Sequence, residues 1–249
     1  QTYTAKFKSI QKAPQGTTHT VIWQNHNGAV LKTEQVKEGL IPSYSGSTPT
    51  RASTQYYNYE FVGWNRQATK VTEKQVYTAE YKIIAKTTSL PFSWYVYMNH
   101  VLIDGMINTS LTELEIPDVI DGKQVYGIEQ FAFIEATNLK KLYIPKSVEY
   151  IEYGALYGLN KLEELTLPFV GQERDIDSDS IAADFGYVFG FVDTGKDYVK
   201  LSFTPSSLKK VTVTDDDTIG LYAFSEDAVK IETLILQKVR VIDRGAFSK

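Results

Sequence analysis

The 249-residue chain has no cysteine, two methionines and three histidines. Without thiols there is no disulfide, no thiolate metal site and no cysteine nucleophile. The missing cysteines do not by themselves indicate a reducing compartment, because exported proteins of Gram-positive bacteria also avoid this residue. His19, His26 and His100 have no partners at the spacing of a zinc site or a catalytic triad, and they read as ordinary exposed residues. No apolar run approaches the ~20 residues that a membrane-crossing helix needs, and no basic-then-apolar leader is present. Because Gln1 rather than methionine opens the sequence, that missing leader does not bear on location. An excess of positive charge is lacking too: 26 Lys and Arg face 30 Asp and Glu, a net charge of −4. This argues against a nucleic-acid partner held through its phosphates.

What is present is ordinary in bulk and unusual in detail. Hydrophobic residues make up 43% and charged residues 22%, as in a soluble globular protein, and the length suits one or two domains. Seventeen tyrosines favour strands and are common at contact surfaces.

Two internal repeats set the expected organisation. Tyr3-Thr4-Ala5-Lys6-Phe7-Lys8 recurs as Tyr77-Thr78-Ala79-Glu80-Tyr81-Lys82. Residues 1–8 are therefore expected to be the tail of a preceding β-repeat and 9–84 a complete copy, followed by a linker over 85–91. Within the copy, strands are expected over 18–24 and 29–36 around the Asn27-Gly28 hairpin signal. Pro42, Gly46 and Pro49 mark an irregular crossing. Further strands, over 57–64 and 76–83, place Tyr57, Tyr59, Phe61, Tyr77, Ala79 and Tyr81 in an aromatic core.

The second period starts near residue 111. The pattern L-x-x-L-x-L appears as Leu111/Leu114/Ile116, Leu139/Leu142/Ile144, Leu162/Leu165/Leu167, Leu208/Val211/Val213 and Ile231/Leu234/Leu236. A second half-motif moves with it: Ile128 to Ala132 recurs at Ile151 to Ala155, and Ile219 to Ala223 at Ile242 to Ala246. Two motifs sharing one period predict a solenoid over 92–249, each coil burying its apolar face on the next. Phe224 and Phe247 are expected to fill its interior. Tyr95, Tyr97, Val101 and Ile103 predict a capping hairpin. Residues 169–207 break the period and are read as an insertion that replaces or decorates one turn, and residues 246–249 as part of an incomplete unit. The predicted fold class is mainly β: a small β-rich repeat domain plus a short leucine-rich-repeat solenoid with a hairpin cap and an insertion.

Two family resemblances rest on these residues. Val21-Ile22-Trp23, Asn27-Gly28, Phe61-Val62-Gly63-Trp64 and Tyr77-Thr78-Ala79-Glu80-Tyr81 resemble the Listeria–Bacteroides repeat, related to the B repeat of internalins. Residues 92–249 resemble the BspA-type leucine-rich repeats of bacterial surface antigens, as in Leu139 to Pro145 with Val148 to Leu156. The aromatic insertion, with Phe185-Gly186-Tyr187-Val188-Phe189-Gly190, resembles one found in such proteins of gut Firmicutes. Ala136, Leu159 and Ala228 stand near positions where that family often has cysteine, and Leu156 replaces a phenylalanine. Together the resemblances imply an extracellular protein, secreted or cell-wall attached, that works in adhesion or host contact.

Catalytic chemistry finds no motif, so no catalytic, cofactor-binding or metal-binding residues are expected. Asp175, Asp177, Asp179 and Asp184 begin like a calcium loop, but Ser180 and Gly186 stand where glycine and the bidentate glutamate belong. They are read as a solvated acidic stretch, and Asp215-Asp216-Asp217 as a charged turn. The glycine-flanked 186–190 segment lacks the lysine of a phosphate loop.

The expected function is a non-catalytic interaction module presenting the solenoid sheet to an extracellular protein or glycan. A structural spacer is the alternative, and a hydrolase hidden in the insertion a third reading. In each L-x-x-L-x-L strand the apolar residues point in and the others out. The candidate partner-binding residues are therefore Glu113, Glu115, Lys141, Tyr143, Glu164, Thr166, Lys210, Thr212, Thr233 and Ile235, with Tyr143 the expected anchor and Tyr187 of the insertion the fallback.

Overall fold

A computed structural model describes residues 16–87, 89–174, 176, 180–193, 200–225 and 231–248. The expected repeat tail at 1–8 and Asp175, Asp177 and Asp179 of the acidic stretch lie outside the described residues. The chain is mainly β, with 39% strand and 4% helix. Its first strands are β1 (Thr18–Gln24), β2 (Val30–Lys37), β3 (Tyr57–Trp64) and β4 (Gln75–Ala85). The chain divides into two compact units, Gln1–Pro49 with Gly63–Glu80, and Thr50–Val62 with Tyr81–Lys249. This division differs from the repeat boundaries: residues 50–62 pack with the solenoid.

In the first unit β1 pairs antiparallel with β2 and parallel with β4, and Trp23 stands opposite Tyr77. Their rings stack at 4.3 Å, and Trp64 and Tyr44 close on Trp23 at 4.7 and 5.4 Å. Trp23, Tyr77, Val21 and Val71 form the buried centre. Trp23 keeps its polar end satisfied by donating Nε1–H to Glu34 at 2.8 Å, as a buried indole requires. The Asn27-Gly28 reversal is longer than the two-residue turn that the dipeptide predicts. A bulge at Trp23/Gln24 shifts the register, and residues 25–29 form the loop, closed by Asn25 N–H to Ala29 O at 2.8 Å. Gly28 takes the left-handed conformation there, at φ 82°.

The second unit is a solenoid built on β5 (Phe92–Tyr97), β6 (His100–Met106), β7 (Glu113–Glu115), β8 (Val119–Ile120), β9 (Lys123–Ile128), β10 (Lys141–Tyr143), β11 (Tyr150–Ile151) and β12 (Glu164–Leu167). It continues through β13 (Phe191–Asp193), β14 (Lys200–Ser202), β15 (Lys210–Val213), β16 (Thr218–Ile219), β17 (Thr233–Leu236) and β18 (Val241–Ile242). The L-x-x-L-x-L strands form one parallel sheet in the order β17-β15-β12-β10-β7. Leu139, Leu142, Ile144, Leu162, Leu165 and Leu167 are each at most 2% exposed, as period-2 alternation requires. The second half-motif gives two short parallel ladders, β9 with β11 and β16 with β18. The hairpin β5–β6 turns on Met98 and Asn99, both at positive φ, and β6 pairs parallel with β9. Two consecutive left-handed residues match the twist of a hairpin.

The corner before each alanine also needs a left-handed residue. Gly154 and Gly245 supply it with φ 66° and 90°, but Phe131 and Tyr222 occupy it at 59° and 60°. An edge-to-face ring contact accompanies the strain at Phe131, which meets Tyr157 at 5.9 Å. Phe185, Phe224 and Phe247 stack in sequence at 4.9 and 5.5 Å. Phe224 is buried as expected, whereas Phe247, stacked on one face only, is 42% exposed.

Of the two readings of the insertion, decoration rather than replacement of a turn agrees with the strand pairing. β12 pairs directly with β15 (Glu164↔Lys210), so no strand stands between them. Only the corner half of a turn is supplied. The 3-10 segment Phe185–Phe189 sits between successive corners: Val188 O accepts from Leu156 N–H at 2.8 Å and Phe185 N–H donates to Ala223 O at 2.7 Å.

Candidate functional site

Because the strands of the sheet pair in register, outward residues at equal positions line up about 4.8 Å apart. Two columns result. The first is Glu113, Lys141, Glu164, Lys210 and Thr233; the second is Glu115, Tyr143, Thr166, Thr212 and Ile235.

The first column alternates in sign and is cross-linked. Lys141 Nζ lies 3.1 Å from Glu113 and 3.7 Å from Glu164, and Lys210 Nζ 3.0 Å from Glu164. Lys210 and Lys141 hold the Glu164 carboxyl below its usual range; Glu113 pushes the Lys141 ammonium up. All four charges stay hydrated, so each pair adds little to stability. Their effect is to leave the face with no strong field of either sign.

The second column departs from the expectation that all its members face solvent. Thr212 is 8% exposed, because a short side chain on an inner strand is shielded by the strands on both sides. Tyr143 is half-buried against the core and is not a fully exposed anchor. Thr166 is half-buried, and Ile235 is 39% exposed. Glu115 is taken up within its own unit. Arg51 Nη2 lies 2.6 and 2.7 Å from its two oxygens, and Tyr59 donates its hydroxyl at 2.8 Å. The guanidinium sits 3.7 Å over the Tyr59 ring. Burial and the bond to Glu115 push the Tyr59 hydroxyl up to about 12. Nothing in the sequence marks this cluster, since Arg51 and Glu115 share no motif.

Tyr187, the fallback anchor, is 8% exposed and Gly186 is buried, so the glycine-flanked segment is interior packing. Asp215-Asp216-Asp217 is a turn, but its charges are not all solvated. Asp216 is 4% exposed and accepts Val170 N–H at 3.0 Å. Asp215 pairs with Arg174 and Lys238, and Arg240 holds the Asp217 carboxyl below its usual range. Asp216 also lines a cleft of about 230 Å³ with Glu173 and Asp243; its bond to a backbone amide is that of a structural carboxylate. His100 is not an ordinary exposed residue: it is half-buried, its ring 4.7 Å from Tyr126. His19 faces Glu38 at 3.3 Å and His26 bonds Asn25. Among the described residues no helix is long and apolar enough to cross a membrane.

The stacked coils have a counterpart in sequence: residues 106–180 match the family described as BspA type leucine rich repeat region. These residues are BspA-type leucine-rich repeats. Two solved structures are similar to the chain. One is a leucine rich cell surface protein from Faecalibacterium prausnitzii, 17% identical over 65% of this chain, with a TM-score of 0.34. The other is a leucine rich repeat protein of T. pallidum, 14% identical over 63% of this chain and 85% of its own, with a TM-score of 0.30. This chain spans 45% of the length of the first. No curated protein matches the sequence. None of the matches indicates an enzyme family.

Proposed function

We propose that this chain is a non-catalytic module of an extracellular, secreted or wall-attached protein, and that its solenoid sheet meets a protein or glycan partner. Residues 9–84 would be a Listeria–Bacteroides-type repeat domain joined by 85–91 to the repeats of 92–249. The observation that carries the reading is the in-register parallel sheet β17-β15-β12-β10-β7. It offers two straight side-chain columns on a backbone that is already ordered, so binding costs little further entropy. Lys141, Tyr143 and Thr166 form its centre, and the end strands contribute Glu113, Thr233 and Ile235. Arrays of host extracellular proteins and glycans, probed with the natural chain and with Lys141→Ala/Tyr143→Ala, test this. A partner that binds the natural chain and not the double variant supports it; equal binding moves the contact off the sheet.

A spacer is favoured by one observation, the mutual pairing of Glu113, Lys141, Glu164 and Lys210. A face that satisfies its own charges needs no partner. It predicts that no array feature distinguishes the two chains.

A further inference from the structure

We propose a carbohydrate-binding site on the flank of the solenoid, away from the sheet, in the groove beside the β9–β11 ladder. The proposal stands apart from the sheet-face reading. The groove holds about 310 Å³, at the lower end of small-ligand sites. One wall is aromatic. Tyr126 and Tyr150 are half-buried, with their rings 5.6 Å apart and edge to face. Tyr150 is fixed from two sides. Its ring lies across Gly127, its partner on β9, and its hydroxyl donates to Glu129 at 3.1 Å. Tyr126 is backed by the His100 ring. A rigid phenol face loses little freedom on contact and suits the C–H face of a pyranose.

The polar lining falls into two sets. Arg174 and Glu149 are engaged with each other at 2.6 Å, and Arg174 also bonds Lys146 O and Val148 O. Their hydrogen-bonding capacity is taken up within the protein. The Glu152 and Glu173 carboxylates, the Gln172 amide and the Tyr126 hydroxyl also line the groove, and among the described residues none of these four makes a side-chain hydrogen bond. This set is mixed: carboxylates only accept, whereas an amide and a phenol both donate and accept. An ammonium or guanidinium ligand, which can only donate, would leave the amide N–H and phenol O–H groups unmet. Sugar hydroxyls both donate and accept and can satisfy all four.

Saturation-transfer NMR and calorimetric titration of the full chain with cellobiose, maltose, lactose and diacetylchitobiose test the site. At least one disaccharide should bind with a Kd of about 0.1–1 mM. The affinity should not change with salt, since the ligand is uncharged. Tyr126→Ala and Glu173→Ala should each weaken it about tenfold. Glu173 is exposed, so its variant keeps the melting temperature and separates lost binding from lost fold. Lys141→Ala/Tyr143→Ala should bind the disaccharide normally, whatever becomes of the sheet-face reading. No transfer from any of the four sugars overturns the proposal, as does unchanged affinity in both groove variants. Binding of agmatine alone, fading with salt, would make the groove a cation site and also overturn it.

Discussion

Tyr150 lies where a side chain of Gly127 would be: a Cβ at 127 would come within 2.3 Å of Tyr150 Cζ. The two residues are partners on β9 and β11, and the ring covers backbone that its neighbour leaves bare. Gly127→Ala should destabilise the fold by about 1–3 kcal/mol, because the ring must leave its place. Chemical denaturation measures this. Adding Tyr150→Ala should recover part of the loss, a coupling that only direct contact produces. Strictly additive losses would show that the ring does not depend on the glycine.

The charge ladder makes a salt-dependent prediction. Lys141→Glu would set three carboxylates side by side across β7, β10 and β12. The melting temperature should fall at low ionic strength, and the difference should shrink as salt is added. A deficit that salt does not reduce would mean the lysine acts through packing instead.

Tyr57 is 5% exposed, and among the described residues its hydroxyl has no hydrogen-bond partner. Burial drives its ionisation far above the usual range. Removing an unpartnered buried hydroxyl is neutral or favourable, so Tyr57→Phe should match or exceed the natural chain by up to about 1 kcal/mol. A clear loss in denaturant titration would show the hydroxyl to be engaged.

Asp118 accepts Ile83 N–H at 2.7 Å, yet burial raises its pKa above the ordinary value. A carboxyl with a raised folded pKa contributes most below its unfolded value of about 3.9 and loses that contribution as pH rises through the folded value. Asp118→Asn keeps an acceptor for Ile83 and cannot ionise. Its stability relative to the natural chain should therefore grow with pH across that window, as melting curves at several pH values would show. A gap that stays constant with pH would assign the effect to geometry.

Much of this was legible in the sequence because solenoids repeat their instructions. Leu139, Leu142 and Ile144 recur as Leu162, Leu165 and Leu167, and both sets are buried with at most 2% exposure. Alternation tells which side a residue faces, not how deeply its neighbours shield it, and so it gives Thr212 the right strand but not its burial. Contacts between non-repeating segments were invisible. Arg51 meets Glu115 across a separation of 64 residues, and Tyr187 is buried by packing against Tyr153, not by any pattern of its own. The flank groove escaped for a related reason. Tyr126 and Tyr150 are one position out of phase in their half-motifs, so no column of tyrosines appears in the alignment of repeats.

The corner bonds Leu156 N–H to Val188 O and Phe185 N–H to Ala223 O, beside the direct pairing of β12 with β15, have a geometric consequence. Phe185–Phe189 is the corner that belongs to β12, as residues 154–156 belong to β10 and Ala223 to β15, so each step along the sheet is matched by one step along the corners. The same bond recurs from Phe133 to Ala155 and from Phe224 to Ala246. The long insertion is therefore spliced into a joint of the stack without adding a storey to it, and the sheet that a partner would meet runs past the splice with its register unbroken.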